Sequence, residues 1–397
     1  MWVIDLPREL ASNLVTVRHI SDPSSGAVSV RSALTVNDIL KDNEGVGPGF
    51  DTLRLLLSLW VFILHSFVVC WGAESAGEFA ANPFHRILIT PVLPMFFIVS
   101  GYLVTGSALR TQNTLTFLSF RALRIGPALI VEVTLSAMVL GPWLTEKSLL
   151  EYFSDPLFAR YFLNITGNLH FFLPGLFESN PVSGIVNLNL WTLKPEFYCY
   201  LLISLLMFSK VIFNRRYFTL LGLVVLIAAA AYVVRGKNLH NFLAVVDWKF
   251  LILAFILGCL AYHWNHRIIV NRGRAMTAVL IACFAFMHPS LIIFGLLAVT
   301  YLVVYIGTCK LYLPGFLRDG DYSYGIYLFG FPIQQTLVHF LPSGLTNGFT
   351  VLALGLPLTV AFAMLSWTLV EKPTLKLKKR FKRSYQRVTP APIADTH

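Results

Sequence analysis

The sequence has few charged residues for its length. Only 13% of its 397 residues are Asp, Glu, Lys or Arg, whereas 56% are hydrophobic. Soluble domains usually carry about 25% charged residues, so this composition excludes a soluble protein. Many apolar runs approach the ~20 residues that are needed to cross a hydrocarbon core. We therefore predict an all-α polytopic membrane protein.

Cysteines are also scarce, and their arrangement argues against two further classes of protein. The five cysteines are scattered within or at the ends of apolar segments, and no pair has the spacing of zinc ligands. Their odd number argues against a disulfide framework. We expect them to be small buried side chains, and we predict no metal site.

The apolar runs predict about ten membrane spans between two polar ends. Residues 1–49 lack an apolar run before a cleavage site, which predicts a disordered or partly helical cytoplasmic extension without a signal peptide. Residues 50–372 form the predicted membrane domain, and residues 373–397 form a basic tail. The predicted spans are 51–72, 86–108, 124–143, 189–209, 217–234, 248–264, 275–288, 290–308, 322–341 and 349–370.

The distribution of basic residues predicts the orientation of these spans. With the amino terminus in the cytoplasm, most of the 31 Lys and Arg residues fall in cytoplasmic segments, as the positive-inside rule requires. Both termini are then cytoplasmic. The net charge of +11 follows from this bias, so it does not require a nucleic-acid partner. The basic run at 376–383 is typical of a topology anchor, although it could also contact anionic lipid.

Two ionisable residues on the first span indicate a site. Arg54 and His65 are eleven residues apart in the run FDTLRLLLSLWVFILHS. Eleven residues return to nearly the same helix face and rise by roughly 16 Å. Arg54 then lies at a membrane boundary and His65 deep in the bilayer. Ionisable groups at that depth usually face a bundle interior or a cavity, although a stop-transfer Arg and a structural His would give the same pattern.

A carboxylate on the fourth span is expected at the depth of His65. Counting about 1.5 Å per residue from the predicted outer ends, His65 lies roughly 10 Å and Glu196 roughly 12 Å below the outer surface. A carboxylate beside a His holds its tautomer and raises its basicity, so we expect Glu196 to orient a general base. Trp191 opens the same span, and the long outer segment 144–188 that precedes it is a candidate re-entrant or lid element.

Further polar residues lie at the ends of the second and third spans. Ser100 and Gly101 form a small pair where a ligand or another backbone can approach closely. Arg121 and Arg124 lie at the predicted cytoplasmic start of the third span. Two guanidiniums at a helix start are well suited to phosphate groups, although the positive-inside rule alone could also place them there.

Taken together, these motifs resemble the acyltransferase-three family of membrane acyltransferases. The resemblance covers roughly residues 48–375 and rests on six ordered stretches: the Arg54–His65 run, FFIVSGYL, RALR, WTLKPEF, DYSYGIYLFGFP and LVEKP. It implies a ten-span protein of the bacterial cytoplasmic membrane. Such a protein takes an acyl group, usually acetyl, from cytoplasmic acyl-coenzyme A to a saccharide hydroxyl at the outer face.

The resemblance also implies roles for individual residues. Arg54 and His65 match the family's essential pair, and Glu196 matches its acid in span four. Arg121 and Arg124 match the proposed coenzyme A contacts, near which we place Ser100 and Gly101. We assign Trp191 and Tyr324 to the acceptor side. Lys194 and Pro195 depart from the family pattern, and the lysine could pair with Glu196 instead.

An alternative function is a transporter or flippase for a lipid-linked saccharide. Such proteins also use polytopic helical bundles with charged residues inside the membrane, but they commonly contain inverted repeats or paired broken spans. We find neither in this sequence. The identity of the acceptor, and the choice between direct transfer and an acyl-histidine intermediate, stay open.

Overall fold

The computed structural model describes residues 34–43, 47–235, 247–311 and 320–376. Most of these residues are helical, and two isolated β-bridges complete the regular structure of the described ranges. The helices are α1 Val36–Asp42, α2 Phe50–Ala81, α3 Pro83–Ile89, α4 Val92–Thr111, α5 Thr114–Leu135, α6 Gly141–Leu144, α7 Leu149–Ser154, α8 Pro156–Tyr161, α9 Leu193–Phe208, α10 Arg215–Val234, α11 Trp248–His263, α12 Arg272–Met287, α13 Ile292–Thr308, α14 Ser323–Phe340 and α15 Gly348–Ser366.

Each predicted span falls on a helix, and the described helices fit a polytopic membrane protein. Six helical stretches are long and apolar enough to cross a bilayer: Phe50–Ala81, Pro83–Thr111, Thr114–Leu144, Arg215–Val234, Pro289–Thr308 and Gly348–Lys376. Helices α9, α11 and α12 have only 16 residues each. The number of ten spans and the cytoplasmic position of both termini therefore stay predictions.

Only part of the predicted amino-terminal extension lies within the described ranges. Helix α1 begins after Thr35, whose hydroxyl and backbone form a capping box with Asp38. The backbone N–H of Val36 donates to the carbonyl of Ile268, which attaches α1 to the segment after α11. Residues 1–33 and the tail 377–397 lie outside the described residues.

Helix α2 bends at Gly72, near the predicted end of the first span. Gly72 has a φ of 82°, a conformation that glycine adopts without the strain of a side chain. The straight part of α2 before this bend carries both Arg54 and His65. Helix α14 packs against α2 and against α15, and α15 also packs against α2, so the three helices pack together.

Two glycines allow the backbones of α4 and α11 to come into close contact. A Cβ atom at Gly101 would lie 2.0 Å from the carbonyl oxygen of Phe255, and one at Gly258 would lie 2.2 Å from that of Ile98. Small residues at such crossings let transmembrane helices approach and gain van der Waals contact. The predicted backbone approach at Gly101 is therefore made by a neighbouring helix.

The segment between α6 and α9, residues 145–192, enters the helical bundle; we call it the connecting segment. Gln335 of α14 donates to the carbonyls of Val182 and Ile185, at 2.7 Å each. Pro332 lacks an N–H, so it cannot bond the carbonyl of Leu328 four residues earlier in α14. Asn187 of the connecting segment donates to that carbonyl at 2.9 Å. The kinked region of α14 thus holds the connecting segment inside the bundle.

The close contact of α4 and α11 predicts an effect on stability. Gly258→Ala inserts a methyl group against a backbone oxygen and should lower the free energy of unfolding by roughly 1–3 kcal/mol, as overpacking does. Gly126→Ala in α5 is the matched control, because nothing lies within 4 Å of its added Cβ. Thermal unfolding of both variants in detergent tests this difference. Equal melting temperatures for both variants and the wild type would contradict the packing described here.

Candidate active site

The main ionic cluster of the bundle is centred on Asp321. One oxygen of its carboxylate accepts hydrogen bonds from both Arg54 and Arg124. Arg54 also contacts Asp51 at 2.9 Å, and Arg124 lies 3.9 Å from Glu371. We call the end of the bundle that holds these residues the arginine end.

Four separate elements supply this cluster. Arg54 is in the second turn of α2, and Arg124 is in the third turn of α5. Asp321 immediately precedes α14, where Ser323 donates to its second oxygen at 2.7 Å. Glu371 ends the π-helical turn Trp367–Glu371 that follows α15. The cluster therefore ties together elements that are far apart in the chain.

The charge of Asp321 is maintained by its neighbours. Burial alone would raise the pKa of this carboxyl, but the Arg54 and Arg124 guanidiniums outweigh burial and hold the pKa well below its usual range. Asp321 is therefore ionised at neutral pH, and it neutralises part of the positive charge at the arginine end.

Arg121 has a different environment from Arg124. It donates to the Ser107 hydroxyl at 3.3 Å, and its guanidinium lies 5.7 Å from the ring of Phe117 and 6.0 Å from that of Tyr200. Its buried Nε has no hydrogen-bond partner, and no salt bridge to Arg121 occurs within the described ranges. Of the two predicted phosphate contacts, Arg121 is thus the more available.

Glu196 lies with the arginines and does not contact His65. Its carboxylate accepts a hydrogen bond from Tyr200 and is within electrostatic range of Arg121. No hydrogen bond joins Glu196 to His65 among the described residues. Lys194 is exposed and forms no salt bridge with Glu196 in this part of the chain. The expected contact between carboxylate and imidazole is therefore wrong for this conformation.

The reason is the depth at which α9 begins. The predicted fourth span, 189–209, begins at the outer surface. In the structure Asn189 donates to the carbonyl of Tyr327, and Thr192 bonds the Tyr327 hydroxyl at 2.7 Å. Tyr327 is six residues from Asp321, or roughly 9 Å along α14. The connecting segment thus descends into the bundle first, and Glu196 starts α9 close to the arginine end.

His65 lies apart from the ionic cluster, on α2. Its ring packs edge-on against Phe331 of α14, with 5.4 Å between the ring centroids. Gln334, one turn further along α14, donates to the Phe62 carbonyl and to the Ser66 hydroxyl. The buried Nδ1 of His65 has no hydrogen-bond partner. This imidazole is therefore positioned by packing, and among the described residues no acid orients it.

The other predicted site residues occupy distinct places. Ser100 lies beside the Tyr200 hydroxyl, close to Arg121, whereas Gly101 faces α11. Trp191 is half-buried against the main core. Tyr324 was assigned to the acceptor side, but it lies three residues after Asp321, near Arg124, and donates to the Ile125 carbonyl at 3.2 Å. Tyr324 therefore lies at the arginine end, and its assignment to the acceptor side stays a prediction.

Three carboxyl groups of the bundle were not among the predicted site residues: Asp321, Glu371 and Glu132. Each lies within or beside an apolar run, which was an available signal, because ionisable groups at membrane depth are rare and often functional. Asp321 even begins the quoted stretch DYSYGIYLFGFP. Among the described residues, no three His, Cys, Asp or Glu side chains are grouped so that they could hold a metal ion.

Comparisons with known proteins identify the family. Residues 48–368 match the family model described as an acyltransferase domain. The chain is 27% identical over 344 residues to the O-acetyl transferase of Shigella phage Sf6, covering 81% of this chain and 94% of that protein. It is also 27% identical over 369 residues to nodulation protein 10 of Rhizobium leguminosarum bv. viciae, covering 85% and 95%. No solved structure is significantly similar. The protein is therefore a member of the acyltransferase-three family, as its ordered motifs predicted.

Proposed function

We propose that this protein transfers an acetyl group from acetyl-coenzyme A to a saccharide hydroxyl across a bacterial cytoplasmic membrane. Its family and the phage relative, whose name is O-acetyl transferase, support an O-acyltransferase. The observation that supports an acetyl-coenzyme A donor and transfer across the membrane is the separation of two sites along α2. A guanidinium cluster lies at one end, and a lone imidazole lies roughly 16 Å further along the same helix.

The arginine end is proposed as the donor site, facing the cytoplasm. Acyl-coenzyme A is polyanionic, and guanidiniums bind phosphate oxygens through charge-assisted hydrogen bonds. Arg121 has no acidic partner within hydrogen-bonding distance among the described residues, so it can bind a phosphate without breaking an ion pair. Arg124 must share its charge with Asp321 and Glu371. The Tyr200 ring lies 6.0 Å from the Arg121 guanidinium, and the Glu196 carboxylate is within electrostatic range of it.

His65 is proposed as the general base of the transfer. Its imidazole accepts the proton of the acceptor hydroxyl while the oxygen attacks the thioester carbonyl. The new ester C–O bond forms, the C–S bond breaks, and the coenzyme A sulfur takes up the proton from the imidazolium. The unpartnered Nδ1 fits this role because no hydrogen bond within the protein has to be broken there. In this mechanism His65 acts without a carboxylate partner.

Replacing the imidazole tests this role. His65→Gln should lower acetyl transfer by roughly 100-fold or more, the contribution of general base catalysis, with little loss of folded protein. His263→Gln is the matched control, since His263 on α11 is also partly buried, lacks a partner at Nε2, and packs against Phe218. The readout is radiolabel transferred from acetyl-coenzyme A to membrane glycan. Near-normal transfer by a folded His65→Gln protein would remove His65 from the mechanism.

The two arginines of α5 should respond differently to substitution. Arg121→Gln should weaken acetyl-coenzyme A binding about tenfold or more, because a charge-assisted contact contributes roughly 1.5–3 kcal/mol. Arg124→Gln should also lower the melting temperature, because Asp321 and Glu371 each lose a cation. Titration calorimetry and thermal unfolding measure the two effects.

Arg110→Gln, at the exposed end of α4, serves as the control for the loss of one positive charge. It should leave both donor affinity and melting temperature unchanged. If Arg121→Gln binds acetyl-coenzyme A as tightly as the wild type, then Arg121 is not a donor contact. Its positive charge then serves only to orient the protein in the membrane.

A further inference from the structure

Glu132 is a carboxyl group in the interior of the bundle that the proposed mechanism does not use. It is only 1% exposed and lies eight residues after Arg124 on α5, or roughly 12 Å further from the arginine end. One oxygen accepts hydrogen bonds from Ser136 at 3.0 Å and from Asn187 at 2.9 Å. The other oxygen, Oε2, is buried and has no hydrogen-bond partner.

A second unpartnered group lies beside this carboxyl. Tyr161 ends α8 in the connecting segment and is fully buried; its phenol group lies within electrostatic range of Glu132 and near the Ser136 hydroxyl. Its hydroxyl makes no hydrogen bond of good geometry. A buried polar atom without a partner destabilises a protein by about 1–3 kcal/mol, so two such atoms within electrostatic range of each other call for a functional explanation.

The surroundings of Glu132 do not supply a counter-ion. No salt bridge to Glu132 occurs in the described part of the chain, and its hydrogen-bond donors, Ser136 and Asn187, are both uncharged. Directly after it, α5 changes to a π-helical turn over Ser136–Leu140, a feature that occurs often at functional sites. Hydroxyl groups both donate and accept hydrogen bonds. An uncharged ligand that carries hydroxyl groups therefore matches the Glu132 carboxyl oxygen and the Tyr161 phenol.

The depth of this pair coincides with that of the imidazole. Asn187 links Glu132 to the carbonyl of Leu328, while His65 packs on Phe331 of the same helix. Three residues of α14 correspond to roughly 4.5 Å along its axis. The unpartnered groups therefore lie at nearly the level where the acceptor hydroxyl would be deprotonated.

From these observations we infer that Glu132 and Tyr161 form a binding site for hydroxyl groups of the saccharide acceptor. This inference rests on the proposed function and adds two residues that position the acceptor. The Glu132 carboxyl and the Tyr161 hydroxyl bond hydroxyls of the sugar ring that is acetylated. Since both groups are buried, binding requires the part of the connecting segment that carries Tyr161 to separate from α5.

The decisive variant is Tyr161→Phe, because it removes only the unpartnered hydroxyl. A residue with a purely structural role would lose nothing, and deleting an unsatisfied buried group is neutral or stabilising. We expect an unchanged or higher melting temperature together with transfer lowered roughly three- to tenfold at limiting acceptor, the effect of one lost hydrogen bond. Glu132→Gln keeps an oxygen for Ser136 and Asn187 and should give a similar loss.

The control variant is Tyr152→Phe, in the same segment. The Tyr152 hydroxyl is buried and donates to the Ala137 carbonyl at 2.7 Å. Its removal should lower the melting temperature but leave transfer per folded molecule unchanged. The assay uses the full-length protein in nanodiscs, labelled acetyl-coenzyme A, and acceptor membranes from source cells that lack the protein, with acetyl-coenzyme A binding measured in parallel.

The outcomes separate this inference from the proposed function. Reduced transfer with unchanged donor affinity in Tyr161→Phe supports an acceptor site. Unchanged transfer in Tyr161→Phe overturns it, as does a loss of transfer and donor affinity in parallel, which indicates a general disturbance of the protein rather than a lost acceptor contact. If the wild-type protein neither binds acetyl-coenzyme A nor labels glycan, the proposed function itself fails and the inference fails with it. If the Glu132→Gln protein does not fold, the result for Tyr161→Phe alone decides whether this acceptor site exists.

Discussion

The shared contact of Asp321 with Arg54 and Arg124 is the interaction on which the rest of the candidate site depends. A single carboxylate draws α2, α5 and the start of α14 together, and Arg124 extends the link to Glu371 after α15. Buried charges are tolerated only when they are paired, so this cluster strongly restricts how the helices can be arranged. It also leaves Arg121 as the neighbouring cation with no acidic partner at hydrogen-bond distance in the described ranges.

This arrangement divides the bundle into two chemical regions. At the arginine end, Asp321 and Glu371 pair with Arg54 and Arg124. The Arg121 guanidinium, which has no salt bridge in the described ranges, is then the group that suits the proposed polyanionic donor. Further along the bundle, His65, Glu132 and Tyr161 form a region with few charges, where hydrogen bonds to a neutral saccharide would meet little competition from water. Helices α2 and α14 run through both regions.

Much of the fold could be predicted from hydropathy, because each predicted span corresponds to a helix. Helical spacing also correctly placed Arg54 and His65 on one helix and Arg121 and Arg124 on another, whereas their roles stay predictions. The depths and pairings of residues that depend on irregular backbone could not be predicted from the sequence. Glu196 was placed too far from the arginine end because the connecting segment enters the bundle before α9 begins. Asp321 was missed because its partners are 267 and 197 residues away in the chain, and Gly101 faces a helix that spacing alone could not identify.

The most direct measurement is the sidedness of the reaction in sealed vesicles of known orientation. Acetyl-coenzyme A does not cross a bilayer unaided, so it can be confined to one side, with the glycan acceptor confined to the other. The proposed function predicts labelled acetyl glycan only when the donor is on the side of the arginine end and the acceptor is on the opposite side. Labelling that requires donor and acceptor on the same side would contradict it.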